Sequence, residues 1–100
     1  MPLPPLDGLG GALRNLRRLA RLTQRDVSEA TGLTRPMVSS YERGRTLPSL
    51  PSLWTYLDAL GTDLTYLEKI MREREERKET ARRHRDEIRH LVDWLLENES

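Results

Sequence analysis

The side chains in this chain that could do chemistry are hydrogen-bonding cations, amides and hydroxyls gathered between Gln24 and Thr46. Arg35, Ser39, Ser40 and Arg43 recur along a short helical phrase. Its apolar members Val38 and Tyr41 are spaced i, i+3 and point the other way. A guanidinium can bond guanine O6 and N7 together or clamp a phosphate, whereas a hydroxyl donates or accepts and discriminates bases only weakly. Arg43 and Arg45 flank Gly44, two cations on an exposed turn that could hold phosphate or simply be solvated. Catalysis has no comparable support. His84 and His90, the only histidines, are six residues apart, off the i, i+4 spacing that aligns two metal ligands on one helix face. There is no glycine-rich phosphate loop and no nucleophile–base pairing. No metal, no cofactor and no enzymatic activity are expected.

The elements that must position these groups are two short helices around one glycine, in TQRDVSEATGLTRPMVSSYERG (Thr23 to Gly44). Thr23 is the expected N-cap of the first, with Asp26 completing a capping box. Val27, Ala30 and Thr31 give it an inward face. Gln24 falls in its first turn, where helix N-termini approach phosphates and a neutral amide can donate. Gly32 can adopt positive φ just past the helix end, Leu33 is an apolar plug, and Thr34 caps a second helix running to about Arg43. Pro36 is tolerated in that helix's first turn and offers a base only an apolar surface, such as a thymine methyl would meet. Two short helices joined by a glycine-containing turn form a helix-turn-helix, whose second helix can enter the DNA major groove.

This run resembles the Cro/cI-type (XRE) helix-turn-helix family of phage and bacterial regulators. The likeness continues upstream in LRNLRRLARLTQ and downstream in YERGRTLPSLPSLWTYLDALG, covering roughly Leu13 to Leu67 without gaps. Gln24, Gly32, Glu42, Gly44, Pro48, Leu60 and Gly61 carry it together. The resemblance implies an all-α chain with a five-helix, lambda-repressor-like DNA-binding domain. It implies that Thr34, Arg35, Pro36, Ser39 and Ser40 project toward the groove and read bases. Gln24, Arg43, Arg45 and Thr46 are placed on phosphates, with Gln24 also bracing the start of the recognition helix. Arg17 is expected to pair with Glu42 as a structural ion pair. Ser28 stands where the family usually has alanine, and is small enough for the helix contact there.

Composition sets the outer bounds. One hundred residues suffice for one compact domain with an appendage, and 36% hydrophobic against 33% charged residues puts part of the chain outside a packed core. No cysteine is present and no apolar run approaches the roughly 20 residues of a membrane span. MPLPPLDGLGG lacks the features of a signal peptide, so a cytoplasmic protein is expected. The net charge of +1 is uninformative by itself, because phosphate contacts are local.

Taken in order, residues 1–11 read as a flexible, proline- and glycine-rich arm without a cation for DNA. Residues 12–67 read as the DNA-binding domain. Its first helix is expected over Ala12–Leu22, with Leu13, Leu16, Leu19 and Ala20 inward, and with Arg14 or Arg18 either on phosphate or simply solvated. Met37 is expected in the core beside Val38. Ser49 should cap a fourth helix to Leu60, with Leu53, Trp54, Leu57 and Leu60 closing the core.

Residues 68–100 are a different material. Asp63 can cap a helix, and no glycine or proline follows it. Glu68–Arg72, Glu73–Arg77 and Glu79–Arg83 stand at i, i+4 with the acid first, which supports a solvated helix. Leu67, Met71, Arg74, Lys78, Ala81, Arg85, Ile88, Val92 and Leu95 keep a four-three coiled-coil spacing with a polar middle. A lone helix and a helix bent near Thr80–Arg85 are the alternatives. Ile88, Leu91, Val92, Leu95 and Leu96, with Trp94 beside them, cannot satisfy themselves on an isolated helix, so an oligomerisation surface is expected, with a different protein partner as the alternative. The function expected is sequence-specific double-stranded DNA binding by a transcriptional regulator. A repressing homodimer would set two copies of the third helix in major grooves about 34 Å apart. The alternative is an antitoxin-like interaction protein whose tail binds a partner and whose domain regulates its own operon.

Overall fold

The computed structural model describes residues 8–99, so the expectations for residues 1–7 lie outside the described part. Five helices follow one another: α1 (Leu9–Leu19), α2 (Gln24–Thr31), α3 (Arg35–Glu42), α4 (Leu50–Ala59) and α5 (Leu64–Glu97). Their starts are written in side-chain chemistry. Thr23, Thr34, Ser49 and Asp63 each accept the backbone N–H three residues on, and at Thr23 the Asp26 carboxylate returns the bond to the cap N–H. Pro36 and Pro51 sit within the first two positions of their helices, where a missing N–H costs nothing. Gly32 takes φ 77° beyond α2 with open space around it, so conformation and not crowding requires glycine there.

α1 begins three residues earlier than Ala12. Glycine density suggested irregular chain, but Gly10 is there for contact. A Cβ on it would stand 2.6 Å from the Glu42 carbonyl oxygen and 2.7 Å from that of Tyr41, so α1 and the end of α3 approach backbone to backbone. The inward face of α1 is consequently Leu9, Ala12, Leu13, Leu16 and Arg17, an i, i+3, i+4, i+7, i+8 stripe. Leu19, expected inward, is 77% exposed, and Ala20 is exposed too. The helix closes with Arg21 at φ 60°, a left-handed position that usually goes to glycine.

The core gathers Leu9, Ala12, Leu13, Leu16, Val27, Val38, Tyr41, Tyr56, Leu57, Leu67 and Met71, with Leu22, Leu33, Leu53, Leu60, Leu64 and Ile70 packed around it. Three further expectations change. Ala30 is exposed on α2. Met37 is 39% exposed, because Val38 and Tyr41 already use the inward side of α3. On α4 the buried pair is Tyr56 and Leu57, while Trp54 is 62% exposed. The stripe Leu53, Tyr56, Leu57, Leu60 has the same helical period as the expected one, rotated by about one residue.

α5 is one continuous helix of 34 residues, about 51 Å long, so the bent alternative does not hold. Its first turns belong to the head: Leu67 and Met71 are buried, and the Arg74 guanidinium lies against Gly11 of α1. From residue 76 to residue 99 every side chain is exposed. The chain is accordingly elongated, 67 × 28 × 23 Å. Glu68 pairs with Arg72 as expected, but Glu79 pairs with Arg82 at i, i+3 instead of Arg83.

Candidate nucleic-acid interface

The site is built on one buried carboxylate. Arg17 Nε and Nη2 each donate to Glu42 at 2.8 Å, Nε to Oε2 and Nη2 to Oε1. Tyr56 Oη donates to Glu42 Oε2 at 2.8 Å and also lies 3.3 Å from the Leu13 carbonyl. Gln24 Nε2 donates to Glu42 Oε1 at 3.3 Å, and Arg17 Nη1 to the Leu22 carbonyl at 2.8 Å. One carboxylate at the end of α3 thus ties together α1, the α1–α2 turn, the first residue of α2, and α4. Burial pushes the Glu42 carboxyl up, yet its bonds from Arg17, Tyr56 and Gln24 and the Arg17 charge outweigh burial and leave it below its ordinary value. The Arg17 guanidinium is held up chiefly by its bond to Glu42. Burial, then the Glu42 bond, raises the Tyr56 phenol far above its usual range. Among the described residues no buried side-chain polar atom is left without a partner.

Gln24 therefore braces the end of α3, not its start as expected. The turn is held separately: Ser28 Oγ donates to the Leu33 carbonyl at 2.6 Å, and Leu33 N–H donates to Thr31 Oγ1. Serine at position 28 fits its helix contact and adds a tie that alanine could not make.

With α3 anchored through Val38, Tyr41 and Glu42, its remaining residues line the opposite face. Arg35 and Pro36 are exposed, Ser39 and Ser40 half-buried, and Arg43 exposed at the C-cap. Arg35, Ser39 and Arg43 follow at i, i+4, i+8, and Pro36 and Ser40 form the adjacent row. Thr34 accepts the Met37 N–H as cap. Ser40 Oγ donates to Thr46 Oγ1 at 2.9 Å. This bond joins the reading face to the loop that carries Arg43, Arg45 and Thr46, all exposed.

Ion pairs of the described residues include Arg17–Glu42, Arg25–Glu29, Arg72–Glu68 and Arg82–Glu79, and Arg35, Arg43 and Arg45 enter none. Eight arginines stand against three carboxylates between residues 8 and 46, and the one most deeply buried, Arg17, is neutralised. The unpaired cations divide between α1 with its following turn (Arg14, Arg18, Arg21) and α3 with its following loop (Arg35, Arg43, Arg45), and a local cluster such as the second is the footprint of a polyanion-binding surface. No three His, Asp or Glu side chains among the described residues converge as a metal site.

Tyr56 was missed from sequence. The stripe it shares with Leu53, Leu57 and Leu60 was visible, but Trp54 fits a helical stripe equally well. Only the position of Glu42 decides between them, because a phenol can both pack and donate to the carboxylate.

Comparison with known proteins agrees with this geometry. A family profile described as "Helix-turn-helix" matches residues 13–67. The solved structure of the restriction-modification controller protein C.AhdI from Aeromonas hydrophila is 32% identical, with 62% of this chain and 94% of that one covered at a TM-score of 0.59. One structure of the clp gene regulator ClgR from C. glutamicum is 34% identical over 66% of this chain and 86% of that one, with a TM-score of 0.60. A second ClgR structure, from Corynebacterium glutamicum, is 28% identical and covers 93% of this chain and 96% of that one at a TM-score of 0.68, so that likeness takes in the projecting part of α5 as well. No curated protein matches.

The chain belongs to the XRE-type helix-turn-helix family of DNA-binding transcriptional regulators. Its neighbours are named as a gene regulator and a controller protein. No helix of the described residues is long and apolar enough to cross a membrane.

Proposed function

We propose that the chain is a sequence-specific, double-stranded-DNA-binding repressor that acts in the cytoplasm as a homodimer joined through the C-terminal part of α5. The observation that carries the reading is the outer face of α3. It presents Arg35, Ser39, Ser40 and Arg43 to solvent while its inner face is locked to three other helices through Glu42. A reading helix held this way loses little conformational freedom on binding.

In the groove, Arg35 bonds a guanine edge bidentately and Pro36 meets a thymine methyl. Ser40 and Thr46 are hydrogen-bonded to each other, which sets Ser40 toward a base and Thr46 toward a phosphate, each hydroxyl able to donate or accept. Ser39 and the Thr34 hydroxyl complete the base-facing set. Gln24, in the first turn of α2, and Arg43 and Arg45, on the loop after α3, fix register on the backbone. Two copies read half-sites on one face of the duplex, one turn of about 34 Å or a multiple apart. Occupancy then excludes polymerase from the promoter.

Selection of duplexes from a random pool, followed by titration at several salt concentrations, tests the reading. A paired-half-site consensus and an affinity that falls steeply with salt are expected. Absence of salt-dependent DNA affinity sinks it. Light-scattering mass on the full chain and on a chain ending at Glu76 tests the dimer. A full-length dimer and a truncated monomer are expected, whereas two monomers that still bind DNA weakly move the antitoxin-like, partner-binding tail to first place.

A further inference from the structure

The charges of α5 beyond the head are not evenly mixed. Residues 77–90 carry six cations (Arg77, Lys78, Arg82, Arg83, Arg85 and Arg89) against three carboxylates. Residues 91–99 carry three carboxylates, Asp93, Glu97 and Glu99, and no cation. The apolar side chains lie at the junction: Ile88, Leu91, Val92, Leu95 and Leu96 are between 46% and 65% exposed on this continuous helix. Resting on the reading that the tail self-associates, we propose that two tails pair antiparallel, the acidic tip of each lying on the basic shaft of the other.

The parallel alternative places every residue beside its own copy. Its seam would set Lys78 against Lys78 and Arg85 against Arg85, and its tip would gather carboxylates from both chains. Like charges held this close repel, whether in a seam or on its flanks. The head also removes the first two seam positions from use, because Leu67 and Met71 are buried against α1. A parallel coil is left with a polar seam from Arg74 to Arg85.

Antiparallel pairing removes these conflicts. With Ile88 of each chain opposite Val92 of the other, both copies of Leu91 lie near the two-fold axis. Leu95 then faces Arg85, whose methylene stem covers it while the guanidinium reaches the acidic tip. The interface is isologous and closes as a dimer. Its two-fold axis runs across the shaft at residue 90, so the points near residue 76 where the two shafts leave their heads stand about 42 Å apart. The tail then acts as a spacer that holds two reading heads at opposite ends.

The chain contains no cysteine, so single cysteines report orientation cleanly in the full-length protein. Arg85→Cys and Leu95→Cys chains, one carrying a tag that changes its mass, are oxidised separately and as an equimolar mixture, then run on a non-reducing gel. The mixed Arg85→Cys/Leu95→Cys species is expected to exceed the Arg85→Cys self-link about ten-fold, because facing positions lie within disulfide reach and the two copies of residue 85 are about 15 Å apart along the axis. Efficient self-linking of Arg85→Cys overturns the orientation and leaves tail dimerisation standing. A dimer that links in neither way also overturns it. A monomeric full-length chain by light scattering overturns the dimer reading itself.

Discussion

Arg17 and Arg85 have the same side chain and opposite uses. Arg17 is 8% exposed, forked onto Glu42 and bonded to a backbone carbonyl, in a head where every described buried polar atom has a partner. Arg85 stands in water on a helix whose described side chains are all exposed from residue 76 onward. The head is specified by what its parts do to one another, through caps, a close glycine and a shared carboxylate. The shaft is specified locally, by i, i+3 and i, i+4 charge pairs worth only a few tenths of a kcal/mol each and by the absence of breakers. A charge in the head is therefore costly to strand, whereas a charge in the shaft matters for what approaches from outside.

The largest effect should come from breaking the head at its carboxylate. Glu42→Ala strands Arg17 and unties Tyr56 and Gln24, and should cost about 3–5 kcal/mol in urea unfolding. The paired replacement Arg17→Met with Glu42→Leu should recover much of that loss, since no lone charge remains buried. Leu95→Lys, in contrast, should leave head stability unchanged within about 0.5 kcal/mol while abolishing association in light scattering. Equal losses in both assays would erase the distinction between the regions.

Neighbouring glycines sharpen the comparison on a smaller scale. Gly10→Ala drives a Cβ into two backbone carbonyls and should cost about 1–3 kcal/mol. Gly11→Ala meets only the movable end of Arg74 and should be neutral, or stabilising by up to about 1 kcal/mol through helix propensity.

The pH dependence follows from Glu42. Its carboxyl is depressed in the folded state, so the stabilisation is present above the unfolded value of about 4.3 and is lost as pH falls from there through the folded value. Acid unfolding followed by circular dichroism should show this loss in the native chain, and Glu42→Gln, weaker at neutral pH, should show a flatter profile. A small effect is also expected at Arg21. Its left-handed φ of 60° makes Arg21→Gly stabilising by about 1 kcal/mol, read as a rise in melting temperature.

What was legible in sequence was whatever depends on neighbours along the chain. Thr23, Thr34, Ser49 and Asp63 were readable as caps because a cap needs only the next three residues, and Gly32 because positive φ is a property of one residue. The reading face of α3 could be drawn from Val38 and Tyr41 alone, since one inward pair fixes the phase of a short helix. The continuity of α5 could not be settled in this way. Its charge pairs support a helix, but a bent form remained open until the tertiary structure showed a single one.

Contacts between distant residues were decided only in three dimensions. Glycine at position 10 reads as a helix breaker until the Tyr41 and Glu42 carbonyls arrive beside it. Tyr56 and Trp54 are interchangeable on α4 until Glu42 supplies an acceptor for one of them. Met71 belongs equally to a coiled-coil seam and to the head until α1 covers it. On α4, helical periodicity allows two placements within about one residue's rotation of each other, and at Gly10 and Met71 the local pattern allows two uses of the same residue. The choice falls to steric fit and hydrogen-bond satisfaction between segments that the one-dimensional pattern does not relate.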